Sequence, residues 1–500
     1  MTKPDAPARN LRTIALAAAG VALLAGCAVG PDFVRPAAPG VDRYTREPQA
    51  AVTDIADGQS QRFMPDAGVP ADWWRLFRSP SLDAAMQQAL RHNPTLQSAE
   101  ASLRQSQDNL RAGNGVFYPR VDAALAATRA RTAPAVQGSS AASTLYKVVT
   151  LSGSISYPLD VFGGERRTVE GLAAQVDNQH FTTKAAYLAL EANLVNACIA
   201  RAAYSAQLRA TEELIALEVD QLHSIEAQVR AGTAPYANQL SQRSLIASNK
   251  AQLATLAQKI SQTDHLLALL QGDAPAEASL PEIDLAELVL PQDLPLSLPS
   301  QLLRQRPDIL AAEAQLRAAS ANIGVATAAM FPSFTLSADY GTAGSGLGNL
   351  LAAGGRYWSF APAIAMPLLR GGTLRAQRQA AIDAYDARQA DYRQTVLAAF
   401  AQVADVLQAL AHDAQVLQAQ ADAQRAAADA LALQRASYRA GMVAYLDVQA
   451  ADVQFHSATI SYLAAVAQRH QDTVALFAAL GGGWWNAKAA ETDTGKVATP

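Results

Sequence analysis

The chain repeats itself, and that constrains its fold more than any other feature. The stretch "ALRHNPTLQSAEASLR" (89–104) matches "LLRQRPDILAAEAQLR" (302–317) at an offset of 213, pairing Pro94 with Pro307 and Glu100 with Glu313. The same offset pairs Pro119 of "VFYP" with Pro332 of "AMFP". Further on, Tyr157-Pro158-Leu159 parallels Met366-Pro367-Leu368, Gly163-Gly164 parallels Gly371-Gly372, and "RAGTAPY" (230–236) matches "RAGMVAY" (439–445). Matches kept in one order along 500 residues mark a tandem duplication of one structural plan. A Pro-rich stretch without sustained periodicity, 272–300, joins the halves.

Each half holds two segments of strict alternation. Val149, Leu151, Gly153, Ile155, Tyr157 and Leu159 alternate with small or polar residues, as do Phe334, Leu336, Ala338 and Tyr340. Trp358, Phe360, Pro362, Ile364, Met366 and Leu368 do the same, and Val121, Ala123, Leu125 and Ala127 form a weaker case. A period of two predicts strands with one apolar and one small or polar face. Their length, about 9–11 residues, is that of a transmembrane strand. The Gly/Ser-rich stretches Thr128–Lys147 and Gly341–Arg356 are the expected loops. Four strands cannot close a barrel, and an open edge in hydrocarbon leaves backbone groups unpaired. Strands placed in a membrane therefore require several chains to share one barrel.

The remaining segments read as helices of unusual length. Thr168 to Arg230 contains no proline, and Thr373 to Ala440 contains neither proline nor glycine. At 1.5 Å per residue each reaches roughly 95–100 Å. Val396, Phe400, Val403, Leu407, Leu410, Ala414 and Leu417 keep the 4-3 rhythm of a coiled-coil seam. Leu194, Leu208, Ile215, Leu222 and Val229 hold a seven-residue spacing, interrupted by Arg201. Each long helix ends at an R-A-G turn, where Gly232 and Gly441 suit a left-handed C-cap, and a returning helix follows over 236–271 and 444–480.

The N-terminus carries an address. Lys3, Arg9 and Arg12 precede a short apolar run and then "LAGC". This is a secretory signal whose last residues fit a lipobox, so residues 1–26 are expected to be removed and Cys27 to carry lipid. The other cysteine, Cys198, sits in an apolar helical stretch and is expected to be a buried thiol. Apart from the signal, no run of 18 uncharged apolar residues occurs, so no transmembrane helix is expected. The formal net charge of −4 and the absence of a basic block argue against nucleic acid as a partner. No catalytic chemistry is legible: the histidines lack H-E-x-x-H spacing, "GTAGSGLG" lacks the G-K-[ST] of a P-loop, and no G-x-S-x-G elbow occurs.

Three stretches carry a resemblance. "CAVGPDFVRP", "ADWWRLFRSPSLDAAMQQALRHNPTL" and above all "LPSQLLRQRPDILAAEAQLRAA" resemble the TolC-like outer-membrane efflux proteins, in their lipoprotein branch. The resemblance implies a homotrimer in which four strands per chain build a twelve-stranded β-barrel, continued by a long α-helical periplasmic tunnel. It implies a passive duct for drugs or other small toxic compounds, docked to a periplasmic adaptor and through it to a proton-driven inner-membrane transporter. No enzyme activity and no cofactor beyond the lipid at Cys27 are expected. A polypeptide-secretion duct and an anchored coiled-coil structural lipoprotein are the alternatives.

By the same resemblance, Arg230, Ala231, Gly232, Arg439, Ala440 and Gly441 match the tips that meet the adaptor. Leu446 and Asp447 fall where constricting residues stand, with Tyr438, Asn238 and Asp452 as further gate residues. Ala450 replaces an aspartate common in the family, and Val443 a basic residue seen in some relatives. The expected organisation is a signal (1–26), a lipidated segment (27–80), a first repeat (81–271), the connector (272–300), a second repeat (301–480) and a flexible tail (481–500).

Overall fold

A computed structural model of the chain describes residues 28–65, 67–132, 142–350 and 353–486. The signal, Cys27 and the tip of the first strand-connecting loop lie outside these residues. The chain forms two compact units.

The first unit comprises residues up to 36, with 103–179 and 312–392. Its centre is an antiparallel sheet of β2 (Arg120–Thr132), β3 (Thr144–Leu159), β5 (Ser333–Gly344) and β6 (Arg356–Ala365), in the order β2-β3-β5-β6. The register keeps the alternation in step across all strands. One row joins Val121, Ile155, Ala338 and Phe360, and the next on the other face joins Asp122, Ser154, Asp339 and Ser359. One face is therefore apolar and the other polar, with Ser359 donating to Asp339 across the polar side at 3.1 Å. Val121, Leu125, Trp358, Phe360 and Ile364 on the apolar face are exposed.

Two details depart from expectation. The strands run further into the predicted loops, to Thr132 and back from Thr144, and to Gly344. Backbone pairing carries them on beyond the clean alternation. The fourth strand stops at Ala365 and not Leu368, because Pro367 has no N–H to continue a ladder.

The sheet leads into helices at a corner packed by Phe162 on Phe331, with ring centroids 4.8 Å apart. The N-terminal residues are tied to this corner. Val29 N donates to Phe162 O at 3.0 Å, the Arg167 guanidinium bonds Asp32 at 2.6 Å, and Arg35 bonds Glu313 at 2.7 Å.

The second unit comprises 37–102, 180–311 and 393 onward. The chain's helices are α1 (Pro80–His92), α2 (Pro94–Asn114), α3 (Gly164–Arg230), α4 (Tyr236–Gln271), α5 (Pro299–Gln305), α6 (Pro307–Ala328), α7 (Thr373–Arg439) and α8 (Tyr445–Ala479). The two longest, α3 and α7, have 67 residues each. The predicted seam of α7 is buried at Val396, Val403, Leu407, Leu410, Ala414 and Leu417. By length and composition α7 also contains a stretch apolar enough to cross a membrane, which the stricter rule of an uncharged run had missed. About a third of that stretch is buried within the chain, and Leu397 on α7 is exposed.

The first-half series is only partly buried. The buried stripe of α3 falls one position away, at Gln207, Thr211, Leu214, Glu218 and Ile225, with Leu208, Ile215 and Leu222 on its flank. Polar residues hold the inner positions, so a search for apolar spacing found the shoulder of the seam.

Trp73 and Phe477 stack at 5.3 Å in the core of this unit, with Phe77, Met86 and Leu302 also buried. Cys198 is a buried free thiol, pushed up to about 12 by burial. The connector gains regular structure: β4 (Asp293–Leu296) pairs in parallel with β1 (Arg62–Pro65). Residues 481–486, expected to open a flexible tail, are packed. Gly481–Gly483 turn the chain with positive φ, and Trp484 donates its indole N–H to Gln305 O at 2.8 Å.

Candidate functional site

The two R-A-G turns are built alike. Gly232 and Gly441 have φ of 74° and 72°, the left-handed region that glycine enters without strain. Thr233 N donates to Gln228 O and Gly232 N to Val229 O; Met442 N donates to Ser437 O and Gly441 N to Tyr438 O. Each pair is the 6→1 and 5→2 bonding of a Schellman cap, which satisfies the last carbonyls of α3 and α7. Ala231, Gly232, Ala440 and Gly441 are exposed, and nothing lies within 4 Å of a Cβ built on either glycine.

Past the turns the halves diverge. Asp447 accepts from the N–H of Ala444 at 2.9 Å, capping the start of α8, and both Asp447 and Leu446 are exposed. Asn238 stands at the equivalent position of α4, half-buried, its own N–H donating to Pro235 O at 3.1 Å.

Behind the turns, four helices share a polar seam. Glu218 of α3 accepts from Asn249 Nδ2 at 2.7 Å, and its backbone carbonyl accepts from Gln242 Nε2 at 3.0 Å, both from α4. Tyr445 of α8 donates to Gln242 Oε1 at 2.5 Å. Tyr438 of α7 donates to Gln228 of α3 at 3.1 Å and meets the Tyr445 ring edge-on at 5.6 Å. Arg435 of α7 bonds Asp452 of α8 at 3.0 Å.

Glu218 and Asp452 are each about 1% exposed, and each keeps one carboxylate oxygen without a partner. Burial pushes Glu218 up to about 7, with Asn249 opposing and the Asp452 charge adding to the rise. Burial also raises Asp452 against the pull of Arg435, and lowers the nearby His456. A shallow cleft of about 430 Å³ opens over this seam, lined by Leu217, Gln221, Ile225, Tyr438 and Tyr445.

The structure thus places Tyr438 and Asp452 in this seam, one bonded to Gln228 and the other to Arg435, and leaves Leu446 and Asp447 on the surface. Asp452, expected at a constriction, is enclosed by its own chain and braces α8 against α7. Sequence reasoning missed Glu218, Arg435, Gln242, Asn249 and Tyr445. The available signal was a polar residue recurring on the inner stripe of a long helix, as Gln207, Thr211 and Glu218 do on α3.

The sequence profile described as "Outer membrane efflux protein" matches residues 85–273 and 298–482. The chain belongs to that family. Similar proteins include the toluene efflux pump outer membrane protein TtgC of Pseudomonas putida, 28% identical over 480 residues, covering 96% of this chain and 97% of that protein. TtgF of the same organism, also named a toluene efflux pump outer membrane protein, is 31% identical over 469 residues, covering 93% and 95%. Among solved structures, the outer-membrane channel OprN superposes with a TM-score of 0.81 at 26% identity, covering 92% of this chain and 100% of that one. The open state of the Neisseria gonorrhoeae MtrE channel gives 0.79 at 26% identity, covering 92% and 99%. The fold is that of the TolC-like channels.

Proposed function

We propose that this protein is the outer-membrane duct of a tripartite efflux pump, passing small toxic compounds such as solvents or antibiotics. The observation that carries the reading is the sheet. Among the described residues β2 and β6 each pair on one side only, while the apolar face stays exposed. Such a sheet suits hydrocarbon only when its edges are joined, since each unpaired backbone group costs several kcal/mol there. Three chains contribute their sheets to one twelve-stranded barrel in this reading, with lipid on Cys27 as a second hold on the outer membrane. The polar face then lines the passage, and transport runs downhill through it without catalytic groups.

The R-A-G turns serve as adaptor-docking tips, supported by their exposure and by the open space around both glycines. Leu446 and Asp447, on the surface of each chain, become a ring around a shared axis. Grouped carboxylates there attract cations and resist anions. Tyr438 stands eight residues before that ring and Asn238 at the matching place in the first half, and energy comes from an inner-membrane transporter reached through the adaptor.

The test places a photo-crosslinking residue at Ala440 in living cells and identifies the captured protein by mass spectrometry. Capture of an adaptor of a proton-driven pump is expected. Capture of a polypeptide-secretion adaptor would change the cargo. An uncaptured Ala440 that reacts with reagents outside the cell would remove the periplasmic orientation.

A further inference from the structure

The duplication reaches below the sequence, into the register of the sheet. Two offsets relate the halves. One of 213 carries α2 and β2 onto α6 and β5, and one of 209 carries β3 and α3 onto β6 and α7, as in Tyr157 to Met366 and Arg230 to Arg439. Val121 of β2 pairs with Ile155 of β3. The residues 213 and 209 further on, Phe334 of β5 and Ile364 of β6, pair with each other. Agreement runs through the whole second hairpin, from Ser333 with Ala365, the counterparts of Arg120 and Ser156, to Thr342 with Arg356, the counterparts of Arg129 and Lys147. The two hairpins are one object built twice, with equivalent edges.

Inside the chain the free edge of the first hairpin joins that of the second, with Ile155 of β3 opposite Ala338 of β5 and Ser154 opposite Asp339. The outer edges of β6 and β2 are the counterparts of these two, and neither has a partner strand among the described residues. Carried over by the same offsets, the β3–β5 register sets Ile364 of β6 opposite Leu125, Ala363 opposite Ala126 and Phe360 opposite Arg129. The faces then match. Ile364 and Leu125 both belong to the exposed apolar face, and Ala363 and Ala126 to the other. A slip of one residue would set the apolar face of one strand against the polar face of the next. The helices speak against a slip of two. Arg317 of α6 bonds Asp177 of α3, and their counterparts are Arg104 of α2 and Asp386 of α7, of opposite charge and both exposed. Because α2 leads into β2 and β6 leads into α7, a two-residue slip of about 6–7 Å would carry Arg104 out of reach of Asp386.

We infer that a second copy of this chain seats its β2 on β6 in this register, residues 357–365 pairing with 124–132 of the next copy, and that Arg104 of the next copy bonds Asp386. The inference rests on the shared-barrel reading and adds to it the alignment of the seam. Trp358 and Phe360 then stand opposite Arg131 and Arg129, guanidinium beside aromatic ring.

The test replaces Ala363 and Ala126 with cysteine in the full-length chain and oxidises isolated outer membranes with copper phenanthroline. Cβ atoms directly opposite one another lie about 4.5–5.5 Å apart and diagonal neighbours about 7–8 Å, whereas a disulfide needs about 3.5–4.5 Å. Chains linked to one another on non-reducing gels are expected, with neither single substitution linking. Ala363→Cys combined with Ala124→Cys or Thr128→Cys should link at least fivefold less. Predominant linkage at position 124 or 128, or none from an assembly that is still oligomeric, would overturn the register and leave the shared barrel standing. A monomeric wild-type chain would remove both. The helix contact is read separately, from the temperature at which the detergent-purified assembly dissociates. Arg104→Asp and Asp386→Arg should each lower it, and the two together should restore at least half of the loss. No restoration would overturn the ion pair, and with it the choice between registers two residues apart.

Discussion

Replacing Glu218 with glutamine should make the protein more stable at pH 8 and change little near pH 4.5. In the folded chain the Glu218 carboxyl is raised from an ordinary 4.5 to about 7, first by burial. The folded state therefore holds this proton more tightly than the unfolded state does. Below about pH 4.5 both states are protonated and nothing is lost. Between there and about pH 7 stability falls with rising pH, because the unfolded chain ionises freely and the folded one does not. At about 1.36 kcal/mol for each tenfold difference in proton affinity, the full loss above pH 7 is about 3 kcal/mol. Glutamine keeps an oxygen for the 2.7 Å bond from Asn249 and carries no charge. It should recover up to about 3 kcal/mol at pH 8, a few degrees in melting temperature for a chain of this size. The assay follows tryptophan fluorescence of full-length wild type and Glu218→Gln on heating, at both pH values. A difference between the two proteins that is the same at pH 4.5 and pH 8 would refute the reasoning.

Other outcomes are equally direct. Gly441→Ala should cost about 1–2 kcal/mol through its left-handed backbone alone, since a Cβ there meets nothing within 4 Å; a larger loss of thermal stability would mean that the turn is packed. Asp447→Ala should cost about 1 kcal/mol by uncapping α8 and raise ion conductance in a planar bilayer by removing side chains that narrow the ring; unchanged conductance would take Asp447 out of the gate. Phe477→Ala, which removes a fully buried ring stacked on Trp73, should destabilise by about 3–5 kcal/mol, read from denaturant midpoints. Cys27→Ser should abolish incorporation of radiolabelled palmitate in cells.

Much of the architecture was written in periodicity. The alternating residues of β3 and β5 and the 4-3 apolar rhythm of α7 come from repeating geometry, and all three elements form where the pattern placed them. The R-A-G turns were legible because a left-handed cap selects glycine. The polar seam was not, because its chemistry depends on which helices meet. Glu218, Gln242, Arg435 and Asp452 look like solvated helix residues until four helices enclose them. The short pairing of β1 with β4 escaped notice because four residues carry too little alternation to register.

The sheet's strand count carries a consequence of parity. Every neighbour in the order β2-β3-β5-β6 is antiparallel, so the two outer strands of one chain run in opposite directions. Copies arranged around a rotation axis share one polarity, and the β6 of each then meets the β2 of the next head to tail. That junction is antiparallel like every other, whatever the number of copies. An odd number of strands per chain would instead force a parallel seam between every pair of neighbours. A duplication that doubles a hairpin guarantees an even number, so the event that lengthened this chain also left it able to tile a ring with itself.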